Sequence, residues 1–228
     1  GESLFAEHVI LNKTKKITNG KEMALEERVL PLTVMATSIT QDNKIIFSSR
    51  SQKGIVTIAR TSLLPGGYMH TWDRNKNNRL DVYEVTAREF AEETGVFPDL
   101  ISSLKSCGLI YSDDINRGFT IPFELKVEAE SGKVQENYEK AHDSETEAIQ
   151  FTQFTESNII DFISKKWHGM SNHALGTLLL VGNNKFGNEW YKEFLQIVKK
   201  QYGDVLELEE GIFRQRKDVR EIIKVHHS

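Results

Sequence analysis

Glu89, Glu92 and Glu93 fall within one short stretch at spacings of one, three and four residues. In a helix, residues three and four apart lie on the same face, so a helix here would carry its carboxylates as a single patch. Hard carboxylate oxygens at that density suit a divalent cation such as Mg²⁺, and a cation held there would neutralise the oxygens of a phosphoanhydride. The plainer alternative is a solvated acidic face, for which repulsion costs only a few tenths of a kcal/mol per pair. Local signals support the helix itself. Asp81 followed three residues later by Glu84 has the form of a capping box, and Gly95 supplies a left-handed stop, so the spacing predicts a helix over 82–94. At 100° per residue, Tyr83, Ala87, Phe90 and Ala91 are expected to face the core, with the three glutamates on the other side.

The surrounding letters tip the balance toward chemistry. Arg88-Glu89-Phe90-Ala91-Glu92-Glu93-Thr94-Gly95-Val96 resembles the second half of the Nudix box, R-E-U-x-E-E-x-G-U, at every fixed position, and Pro65-Gly66-Gly67 resembles the glycine pair that precedes it. The first half is absent: counting back from Arg88, the family's glutamate falls on Leu80 and its glycine on Arg74. The resemblance covers about residues 32–152. It implies an α/β fold, an α/β/α sandwich with a mixed sheet, and metal ligands at Glu89, Glu92 and Glu93. It also implies that Arg88 orients the glutamates and that Asp81 or Glu84 replaces the missing acid beside it. Gly66 and Gly67 become the candidate substrate-binding backbone, and Mg²⁺ or Mn²⁺ the expected cofactor. A general base is expected on a downstream loop, where Asp143, Glu145 and Glu147 stand, Glu145 and Glu147 being the candidates taken forward. The activity implied is hydrolysis of the diphosphate in a nucleoside diphosphate linked to another group. The alternative is a Nudix-fold binding or regulatory module with weakened catalysis.

Residues 73–84 carry a second metal pattern. Asp73, Asn75, Asn77, Asp81 and Glu84 occupy oxygen positions of a twelve-residue EF-hand calcium loop, with Leu80 at the apolar eighth position. The sixth is Asn78 rather than Gly, and Asn is the next residue most able to adopt a left-handed turn. The loop lacks an entering helix and a second hand, since the Pro-Gly-Gly turn lies directly upstream.

Several elements must position these residues. Runs 32–40 and 44–50 read as a hairpin turning at 41–43, and a third strand is expected at 55–59, before the Pro65-Gly66-Gly67 turn. Strands are expected at 104–111, 118–130 and 147–152, then helices at 156–167, 172–182 and 188–201. Trp190, Phe194 and Val198 form a helical stripe expected to be core, and His142, His168 and His173 lack ligand spacing. No linker or repeat divides the chain, so one domain over 1–228 is expected, with helices at about 155–202 following the core. A 39% hydrophobic content is enough for a buried core, and a net charge of −4 gives no basic excess to hold nucleic acid or an anionic membrane. The expected partner is a small nucleotide derivative; oligomeric state stays open, a homodimer included. Cys107 is the only cysteine, and no apolar run is long enough to span a bilayer, so a reducing, cytoplasmic setting is expected.

Overall fold

The computed structural model describes residues 32–50, 61–70, 73–74, 77–112, 118–141, 146–166, 170–202, 206–209 and 212–215. Strands β1 (Leu32–Ile39) and β2 (Lys44–Arg50) form the expected hairpin, with Asn43 in the left-handed region at φ 57°. They stay paired only near the turn, at Ile39 and Ile45. Beyond it, β4 (Gly66–Tyr68) takes over the same edge of β1, pairing Val34 with Gly67 and Met35 with Gly66. The turn between β3 (Thr61–Leu63) and β4 is tied in by the Ala36 amide, which donates to the Pro65 carbonyl at 2.9 Å. The strand expected at 55–59 lies outside the described residues.

The other edge of β1 runs parallel to β7 (Gly118–Val127) along its whole length, from Leu32 opposite Phe119 to Ile39 opposite Lys126. Strands β5 (Ile101–Ser106) and β6 (Leu109–Ser112) share the far edge of β7, and β8 (Thr146–Gln153) pairs with β2. Sequence patterning merges β5 and β6 into one strand; Gly108, at φ 130°, separates them. Strands β9 (Leu206–Glu209) and β10 (Ile212–Gln215) extend the sheet, β10 running parallel to β6.

Both faces of this mixed sheet are covered. Even-numbered residues of β1, Val34 and Ala36, pack with Phe123 and Leu125 of β7 against helix α1 (Val82–Thr94) and helix α2 (Ser131–Ala141). Odd-numbered Met35 and Ile39 join Ile45 and Phe47 against α3 (Glu156–Lys166), α4 (Asn172–Phe186) and α5 (Asn188–Tyr202). Strands covered on both faces read as continuous apolar runs, as the first two do in sequence. The result is an α/β/α sandwich. Trp190 and Phe194 are core, as the stripe implies, and the Trp190 ring lies over Gly182, where a Cβ would collide with it. Helix α2 has no counterpart in the sequence reading. Its apolar anchors are Val134 and Tyr138, and its first amide is satisfied from a distance by the Asp42 carboxylate.

Candidate metal and diphosphate site

Helix α1 begins and ends where its local signals place it. The Asp81 carboxylate accepts from the amides of Tyr83 and Glu84, and Gly95 stands at φ 68° with its amide donating to the Ala91 carbonyl. The face turned to the sheet differs from expectation. Val85, Thr86, Phe90 and Thr94 are buried, whereas Tyr83 is half exposed, with one ring edge against Phe123. Phe90 fixes the rotation of the helix, and this rotation carries Glu89 and Glu93 to the β4 side.

There the glycines accommodate them. The Gly66 amide donates to Glu93 Oε2 at 3.1 Å, and Glu89 lies so close over Gly67 that a Cβ there would overlap its carboxylate. Arg88 holds one oxygen from each of three neighbouring carboxylates. Its Nη2 lies 2.9 Å from Asp73 Oδ1 and 2.8 Å from Glu89 Oε1, and its Nη1 lies 2.8 Å from Glu92 Oε2. Asp73, whose side chain is only 3% exposed, accepts on its other oxygen from the His70 amide at 2.7 Å. One guanidinium thus faces the carboxylates of Asp73, Glu89 and Glu92, and the cluster keeps an excess of negative charge. Glu92 and Glu93 also sit in the last turn of α1, which holds no basic residue, where the helix dipole disfavours anions. A cation bound there would relieve both penalties.

Protonation follows the same physics. Burial pushes the Glu89 carboxyl up, the neighbouring Glu92 and Asp73 charges add to this, and Arg88 counters it. Burial lowers the His70 imidazole, with Arg88 acting in the same sense against the pull of Asp73 and Glu92.

The structure brings together Gly66, Gly67, Arg88, Glu89, Glu92 and Glu93. It does not bring Asp81 or Glu84 to Arg88: Asp81 caps the helix and Glu84 is exposed, so the acid beside Arg88 is Asp73. Sequence reasoning gave Asp73 to the calcium loop and overlooked that role, although an acid upstream of a box lacking its first glutamate was the signal. The same contacts lend the calcium loop no support. Its first carboxylate, Asp73, is committed to Arg88 and the His70 amide, and its ninth, Asp81, to helix amides, even though Asn78 adopts the left-handed φ of 58°. Asn75 lies outside the described residues. Among the described residues no three His, Cys, Asp or Glu side chains converge as a ready metal cage. Glu92 is turned onto Arg88 and 58% exposed, so it must swing for all three glutamates to share a cation. Of the base candidates, Glu147 is exposed on β8, and Asp143 and Glu145 lie outside the described residues. His173 Nδ1 is 2.6 Å from Thr120 Oγ1, a contact between α4 and the sheet. No helix among the described residues is long and apolar enough to cross a membrane.

No family model matches the chain, and no curated protein matches it. Solved structures similar to it include Nudix and MutT proteins. A NUDIX hydrolase from Nitrosomonas europaea is 15% identical over 68% of this chain and 90% of that one, with a TM-score of 0.43. The NUDIX domain of Shewanella oneidensis NrtR, in complex with ADP ribose, is 12% identical over 76% of this chain and 98% of that one, at 0.46. A mutT/nudix family protein from Listeria innocua is 17% identical over 73% and 97%, at 0.44. At such identity and score the likeness assigns no activity, which rests on the side chains.

Proposed function

We propose that this chain is a Nudix-type pyrophosphohydrolase, dependent on Mg²⁺ or Mn²⁺, that cleaves the diphosphate of a nucleoside diphosphate linked to another group. One observation carries this reading: the acidic edge of α1 is laid against the Gly66–Gly67 backbone, with Glu93 on the Gly66 amide and Glu89 over Gly67. An acidic surface face has no need of such an approach.

Glu89, Glu92 and Glu93 would hold the cation. Bound there, it supplies the positive charge that diphosphate oxygens require before water can approach phosphorus. The residues of the chain do the rest. Arg88 fixes the carboxylates, and the side-chain-free backbone of Gly67 leaves room for Glu89. Glu145 or Glu147 serves as the base that takes the proton from the attacking water. A second reading, a binding module that retains the fold without turnover, draws support from the lack of a ready three-ligand cage among the described residues.

A screen of ADP-ribose, nucleotide sugars, dinucleoside polyphosphates, NADH, coenzyme A and nucleoside triphosphates, with Mg²⁺ or Mn²⁺ and detection of released phosphate or monophosphate, separates the two. Turnover on one of these is expected, and binding without turnover selects the module. On the substrate so found, Glu93→Gln should lower kcat about a hundredfold or more without lowering Tm, because the amide cannot carry the charge that holds the cation. Full activity in that variant would sink the metal assignment.

A further inference from the structure

We infer that Asp73 is a positioning residue of this site: it anchors Arg88 in place of the acid that position 80 lacks, and so keeps the guanidinium from competing with a cation for Glu89 and Glu92. The inference rests on the proposed reading of the site. Its basis is the difference among the three acids that Arg88 touches. Glu92 is 58% exposed and free to turn, whereas the Asp73 side chain is 3% exposed. A carboxylate that buried must be paired on both oxygens, and Asp73 is: Oδ1 takes Arg88 Nη2 at 2.9 Å and Oδ2 takes the His70 amide at 2.7 Å. It is therefore the fixed end of the network.

Arg88 has to stay in place when Glu92 leaves it for a cation, and among the described residues Asp73 is the partner that can keep it there without using a candidate metal ligand. With Asn in place of Asp73, the whole guanidinium charge falls on Glu89 and Glu92, and a cation must displace it. Position in the chain fits this substitution. Leu80 is bridged to Arg74, the residue next to Asp73, so the acid stands one step along from the partner of the position where the sequence pattern expects it.

The test is Mn²⁺ affinity, read from the paramagnetic resonance of free Mn²⁺, for the full chain and for Asp73→Asn, Arg88→Gln, the double variant and Arg88→Lys, with melting curves for each. Loss of such a supporting contact typically weakens a metal site 10- to 100-fold, so Asp73→Asn should bind Mn²⁺ about tenfold or more weakly. In the Arg88→Gln background the same substitution should change nothing, because its effect passes through the guanidinium. Wild-type affinity in Asp73→Asn, or full additivity in the double variant, overturns the inference. If Asp73→Asn melts early, Arg88→Lys decides: an ammonium that pairs with Asp73 leaves Glu89 and Glu92 to the cation, so affinity should stay near wild type, and a loss of about tenfold or more there overturns the inference. A chain that binds Mn²⁺ with this non-additive pattern but hydrolyses none of the screened compounds loses the proposed activity and keeps Asp73 in its role.

Discussion

At the scale of single residues, the two glycines beside α1 make different demands. A Cβ on Gly66 would meet the terminal Cε of Met35 at 2.9 Å, the movable end of a flexible side chain. A Cβ on Gly67 would collide with the Glu89 carboxylate, which Arg88 already holds. Gly67→Ala should therefore push Glu89 out of position and lower turnover about a hundredfold, while Gly66→Ala keeps most of it. Equal kcat/KM for the two variants would show that Glu89 need not lie against the β4 backbone. Periodicity gathered Glu89, Glu92 and Glu93 on one helix face, and only the resemblance of 88–96 to the second half of the Nudix box added Arg88 and marked the patch out from a solvated acidic face. Asp73 was legible only as the first oxygen of a calcium-loop pattern, because its partner Arg88 lies 15 residues on, beyond any local period.

At the scale of elements, the contrast is between α1 and α2. Helix α1 carries its own punctuation, Asp81 before and Gly95 after, so its limits could be read to the residue. Helix α2 borrows its start from the β1–β2 turn, where the Asp42 carboxylate accepts from the amide and hydroxyl of Ser131, from the Thr40 hydroxyl and from Lys44. A terminus satisfied from 89 residues away leaves no local signal. Partial burial acts to raise the Asp42 carboxyl, and the hydrogen bonds from Lys44, Ser131 and Thr40 overcome it, holding the carboxyl well below the usual carboxylate range. A depressed carboxyl stabilises the fold above its unfolded pKa, about 4, and loses that contribution as pH falls toward its folded value. Asp42→Asn keeps one acceptor oxygen but loses the charge on which Lys44, Ser131 and Thr40 converge, so it should cost about 1 kcal/mol at pH 7, and the gap between the melting curves should close on acidification below about pH 4. A gap constant from pH 7 to pH 2 would remove the charge from this account.

At the scale of the whole molecule, the sandwich follows from β1. Its alternate residues enter two separate cores, so neither helical layer can be removed without exposing one of them. The apolar run over 32–40 announced a hairpin strand, but its parallel partner could not be read from sequence, since pattern gives face and not pairing. That partner is β7, and Thr33 and Thr120, side by side in the two strands, are 87 residues apart. During synthesis at roughly 5–20 residues per second, β1 leaves the ribosome about 4 to 17 s before the strand that completes its outer edge. Until then it has only the hairpin and β4 for company, with a row of unpaired amides and carbonyls open to neighbouring chains. Nascent chains stalled before Val127 should remain open to protease within 32–50, and chains stalled late enough to free β7 and β8 should become resistant. Protection already present in a chain ending at 112 would mean that the hairpin persists without its parallel partner. The interval in which this protein is most exposed to aggregation is thus set by the sequence distance between its two central strands.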